Sequence, residues 1–106
     1  MIVEVVTFNH RPGQTRAEVL EEARATVPKW QANAELVRKH FLFGENDTGG
    51  GVYIWRSRAA AERAHGPEWR EAVRARTGSD PQVAYYDVLI TVDNEGGTVV
   101  ESTGSQ

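Results

Sequence analysis

The stretch from Gly49 to Trp69 narrows the folding options of this chain more than any other. It reads Gly-Gly-Gly-Val-Tyr-Ile-Trp-Arg-Ser-Arg-Ala-Ala-Ala-Glu-Arg-Ala-His-Gly-Pro-Glu-Trp. A glycine turn feeds a short apolar strand, Val52 to Trp55. Ser57 follows as a helix N-cap, because its hydroxyl accepts from free N–H groups of the first turn. An alanine-rich helix then runs to His65 and stops at Gly66-Pro67. Proline is tolerated at the first position of a helix, so Pro67 opens a second one carrying Trp69. His65, Trp55 and Trp69 therefore flank one strand-to-helix corner.

The rest of the chain supplies the other elements. Residues 2–9 are rich in β-branched side chains, as a packed strand favours, and both of their faces are largely apolar. His10-Arg11-Pro12-Gly13 is a turn. Thr15 and Glu18 form a capping box, and Leu20, Ala23 and Val27 give the next helix an apolar stripe. Pro28 should end or kink that helix, since it removes a hydrogen bond and clashes with the preceding turn. Residues 35–43 read as a second strand, and Gly44 to Gly51 as a hairpin loop. Helical segments at 58–65 and 67–77 precede Gly78, a C′ residue. A last strand runs from Val83 to Val92, with Tyr85 and Tyr86 on opposite faces.

The order β-α-β-β-α-β predicts an α+β, ferredoxin-like domain over residues 1–93, with a four-stranded antiparallel sheet and two helices on one face. From Asn94 the chain is polar and glycine-rich, which predicts a disordered tail over 94–106. Two helices cover only one sheet face, and such a sheet should show apolar and polar residues in alternation. Strands 1, 3 and 4 do not. The leftover apolar surface predicts a homodimer packed sheet against sheet.

Composition excludes several roles. With 106 residues the chain fits one domain. It has no cysteine, so disulfides and thiolate metal sites are ruled out. The formal charge is −3, and Asp93, Glu95 and Glu101 at and beyond the domain's end account for all of it. A neutral body lacks the basic footprint of a nucleic-acid binder. Arg63, Arg70, Arg74 and Arg76 sit among Glu62, Glu68 and Glu71 and read as a solvated, ion-paired face. There is no apolar run near the ~20 residues that span a membrane and no signal-peptide pattern, so the expected location is cytoplasmic.

Trp55, Ser57, Ala61 and His65 also carry a resemblance. A strand ending in aromatic-x-Ser, followed by Ala-x-x-x-His on the next helix, resembles the antibiotic-biosynthesis-monooxygenase and YdhR-like branch of the dimeric α/β-barrel superfamily. The likeness runs in order and spacing over roughly residues 1–93. It implies the same dimer, an enzyme needing no metal or flavin, and a small aromatic or polyketide-like substrate held as an enolate or phenolate that reacts with O₂. It also implies a polar residue at the end of strand 1 facing the pocket, which Asn9 matches.

The residues themselves give parallel readings. His65 could take a proton from an acidic phenol or enol, or could cap its helix C-terminus. Trp55 and Trp69 suit the walls of a slot for a planar ligand, or plain core. Tyr53, Tyr85 and Tyr86 offer phenols, and strand parity leaves open which of them, Tyr53 and Tyr86 among them, meets a ligand. Asn9 could donate to a developing oxyanion or start a turn. His40 is expected at the solvent or the dimer rim.

His10, His40 and His65 lack zinc-site spacing. No glycine fingerprint follows a strand, and no nucleophile elbow occurs. In the heme-degrading branch of the superfamily the helix tryptophan and axial histidine fall at Ala64 and Arg74 here, which argues against heme. The leading expectation is a cofactor-independent monooxygenase, with His65 as base, Asn9 as oxyanion donor, and Trp55 and Trp69 as walls. A polyketide cyclase or isomerase, or a non-enzymatic small-molecule-binding or stress-associated module, are its rivals.

Overall fold

The computed structural model describes residues 1–103. The element order is β1 (Ile2–Asn9), α1 (Arg16–Gln31), β2 (Leu36–Phe43), β3 (Thr48–Trp55), α2 (Arg58–Ala64), α3 (Pro67–Thr77), β4 (Gln82–Asp87), β5 (Ile90–Asp93) and β6 (Thr98–Glu101). The first four strands of the sheet lie in the order β2-β3-β1-β4, and every pairing is antiparallel. The fold is thus α+β, with a four-stranded antiparallel sheet and helices.

Local chemistry explains most boundaries. Both halves of the Thr15–Glu18 capping box form at the start of α1. The Ser57 hydroxyl accepts from the Ala60 N–H to open α2. Pro67 takes the first turn of α3, and Gly78 ends it with φ 75°, a left-handed value that a side chain would resist.

Along β1, Ile2, Glu4 and Val6 are buried while Val3, Val5 and Thr7 are half-buried. The buried set faces the helices. Ile2 and Val6 join Trp30 from α1, Tyr53 and Trp55 from β3, and Ala60 and Ala61 from α2 in one core. Burying side chains such as Val6 or Val73 contributes about 1.5–3 kcal/mol each.

Five expectations are corrected. The apolar stripe of α1 is Val19, Ala23, Thr26 and Trp30, and Leu20 is 39% exposed on the outside. Helix α1 does not end at Pro28 but continues to Gln31. The burial of Trp30 in the core secures that last turn.

Strand β3 begins at Thr48, so the three glycines lie in the strand and not in the loop. The tight turn is made instead by Asn46 and Asp47, both at positive φ, a conformation these two residue types tolerate. The long final strand breaks after Asp87. The segment read as a disordered tail contains β6, which pairs with β5 as a separate hairpin; residues 104–106 lie outside the described part. Every residue of both hairpin strands is exposed.

Gly50 carries the tightest backbone approach. Its φ is 141°, and a Cβ there would collide with the Val6 carbonyl oxygen. We expect Gly50→Ala to lose roughly 3 kcal/mol or more from combined strain and overlap, read as a lowered urea midpoint. An unchanged midpoint would mean that β3 and β1 do not approach this closely.

Candidate functional site: a buried acid and an aromatic cavity

Glu4 is the sole charged side chain of β1, and it points inward with 0% exposure. The Trp55 Nε1–H donates to its Oε1 at 2.8 Å. His65, at the α2–α3 corner, brings Nδ1 to 2.9 Å from the same oxygen. That approach is too bent for an aligned hydrogen bond, so neither ring nitrogen of His65 has an aligned partner among the described residues. Both side chains are fully buried.

The imidazole is enclosed by rings. Trp69 lies 4.3 Å away edge-on, Tyr53 4.6 Å edge-on, and Trp30 5.5 Å in a stacked pose. Tyr85 stands opposite Glu4 in the β1–β4 register, and burial together with the Glu4 charge raises its phenol pKa.

Beside this cluster lies a cavity of about 160 Å³ between α1, α3 and the sheet. Phe8, Trp30, Phe41, Tyr53 and Trp69 give it aromatic walls, and His10, Lys39 and Arg76 bring polar ends. Gly50 of β3 also lines it. On the helix-facing side of β3, positions 49 and 51 carry no side chain, and the ring of His10 lies directly over Gly49. His10 is buried and its Nε2 has no partner among the described residues. Burial lowers its pKa, partly offset by Glu22.

Lys39 is the most unusual group on the wall. Its Nζ donates to the Tyr53 hydroxyl at 2.7 Å. It lies 4.0 Å from the ring centres of Trp30 and Phe41, and 4.3 Å from that of Tyr53. No carboxylate forms an ion pair with it among the described residues. Burial, with Lys29 adding repulsion, lowers its pKa to about 7. Glu4 pulls the other way, as do the ring faces, and burial prevails. Burial raises the Tyr53 phenol far above its usual range, so it stays protonated.

The residues singled out from sequence divide in three. Tyr53 and Trp69 line the cavity. His65 and Trp55 lie behind that wall, joined to Glu4, and do not line it. Asn9 and Tyr86 stand elsewhere. Asn9 is exposed and its backbone N–H donates to Ser79 Oγ. Tyr86 is 59% exposed on the opposite sheet face.

The arginines also divide. Arg74 is ion-paired with Glu71 and Asp80, as a solvated face implies, whereas Arg76 lines the cavity. Glu4, Lys39 and His10 were missed. The signal available for Glu4 was a single acid on an inward-facing strand parity. For Lys39 it was a lysine beside Phe41 on a strand.

Among the described residues no group of three His, Asp or Glu side chains could hold a metal ion, and no helix is long and apolar enough to cross a membrane. No protein-family profile and no curated protein matches the chain. Its fold is similar to the crystal structure of NE2512, a protein of unknown function from Nitrosomonas europaea. The TM-score is 0.69 at 17% identity, covering 86% of this chain and 91% of that one. At that identity the likeness bears on fold alone.

Removing one partner of a buried charged cluster costs about 3–5 kcal/mol. Glu4→Ala should lose an amount of this order in urea unfolding. Glu4→Gln, which keeps an acceptor for the Trp55 N–H, should lose clearly less. Equal losses would mean that packing, not the acceptor, is what Glu4 supplies.

Proposed function

We propose that this chain is a cofactor-independent monooxygenase of the dimeric α/β-barrel, ferredoxin-like kind, acting on a single-ring phenol or enol. The observation that carries the reading is the aromatic cavity with a readily deprotonated lysine on its wall. Its volume of about 160 Å³ is close to the ~150 Å³ cavity that holds one benzene ring. That size favours a monocyclic substrate over a folded polyketide chain.

In this reading Lys39, not His65, takes the phenol proton onto Nζ. An amine titrating near 7 is matched to that task. The phenolate passes one electron to O₂, and the radical pair recombines through a new C–O bond. One oxygen atom stays on the ring as a quinone, and the other leaves as water with the two hydrogens lost by the phenol. The substrate supplies all the electrons. Trp69 and Phe8 exclude water, and Arg76 attracts the anion.

Pure protein incubated with a panel of monocyclic phenols under ¹⁸O₂ should yield quinone bearing one new ¹⁸O. Lys39→Met should slow the reaction by about a hundredfold. A second reading, a small-molecule-binding module, is favoured by the separation of His65 from the cavity. Ligand binding without any ¹⁸O incorporation would select it and overturn the oxygenase.

We also propose a homodimer. The sheet face bearing Val3, Val5, Val52, Ile54 and Tyr86 is opposite the helices. The hairpin exposes Leu89, Ile90, Val92, Val99 and Val100, although a lone two-stranded hairpin is marginal in water. Sedimentation should give twice the chain mass of 11.8 kDa, and Tyr86→Arg should shift the protein toward monomer. A monomeric wild type at micromolar concentration would refute the assembly.

A further inference from the structure

We propose that the Lys39 ε-amine is a nucleophilic site that captures small aromatic aldehydes as an imine. The inference needs no oxygen and stands apart from the oxygenase reading, although it uses the same cavity.

Position makes Lys39 reachable. It lines the partly open cavity and also a more open groove formed by Val27, Trp30, Leu36, Arg38 and Phe41. Its amine thus stands between an apolar chamber of one-ring size and an opening along α1 and β2. A carbonyl compound in either space has Nζ on its wall.

The surroundings favour the free amine. The groups facing it are Lys29 and Glu22 on α1, Arg76 on α3, Glu4 on β1, His10 just after it, and Tyr53 on β3. Glu4 already accepts from Trp55 and is crowded by His65, and Glu22 accepts from Arg11 and Gln14. Neither is placed as a counter-ion. Burial lowers the Lys39 pKa to about 7, which favours the neutral form, the one that attacks.

Tyr53 completes the site. Its hydroxyl lies 2.7 Å from Nζ and remains protonated. It can release the Lys39 hydrogen bond and donate to the aldehyde oxygen as the N–C bond forms. The first product is a carbinolamine, made by moving one proton from nitrogen to oxygen. The C–O bond then breaks, water leaves with the second amine proton, and the imine remains. Amine and aldehyde give imine and water, with no change in oxidation state.

The test uses 4-hydroxybenzaldehyde with cyanoborohydride, under anaerobic conditions, followed by peptide mass mapping. The chain contains two lysines, Lys29 and Lys39, so Lys29 and the α-amino group serve as internal references. At pH 7 Lys39 should be alkylated roughly tenfold or more faster than Lys29, because burial lowers the Lys39 pKa to about 7 and Tyr53 stands beside its amine.

The Lys39 rate should rise with pH through about 7. Lys39→Arg should abolish the fast adduct, and Tyr53→Phe should slow it in a folded protein. Labelling of Lys39 no faster than Lys29 in wild-type protein, with native circular dichroism, would overturn the proposal. That result needs no variant, and it would leave the ¹⁸O₂ experiment unaffected.

Discussion

A carboxylate buried in the middle of a sheet governs this molecule. Glu4 lies on β1, which β3 and β4 flank on either side, and its carboxyl group is shut off from water. It must be met by donors or not be buried at all. Trp55 from the adjacent strand supplies one donor at 2.8 Å, and His65 from the α2–α3 corner crowds the same oxygen at 2.9 Å. These contacts fix where the corner sits on the sheet. They also fix the four rings around His65, because Trp69 follows it on α3 while Trp30, Tyr53 and Trp55 close the other sides.

The elements were largely legible because their ends are written locally. Thr15 with Glu18, Ser57, Pro67 and Gly78 each act within a few residues, and a sequence reader needs nothing else to place them. What lay hidden depends on contacts far apart in the chain. Glu4 and Trp55 are separated by 51 positions, and no local rule pairs them. The stripe of α1 was set one residue out of phase, at Leu20 and not Val19, because the outer face of that helix also carries apolar side chains.

The glycines misled for a related reason. Three in a row signal a turn when read alone, yet here they run inside a strand because His10 needs the space above Gly49. The β5–β6 hairpin was concealed by its polar turn. Its strand residues Thr98 to Glu101 are too few to stand out from a glycine-rich segment.

The site divides into a fixed part and a reactive part, and the division follows from hydrogen-bond supply. Around Glu4 one oxygen accepts from Trp55 and lies against His65, while Oε2 has no aligned partner among the described residues, and the rings pack over the pair. Around Lys39 the donor has a neutral phenol and three ring faces but no counter-ion. Burial therefore lowers its pKa to about 7, far below that of an ordinary lysine. The histidine that the sequence offers as a base is locked in the fixed part, whereas the lysine that the sequence leaves unremarked holds the exposed edge. A base or nucleophile must meet a ligand, and on this wall Lys39 does so while His65 lies behind the lining.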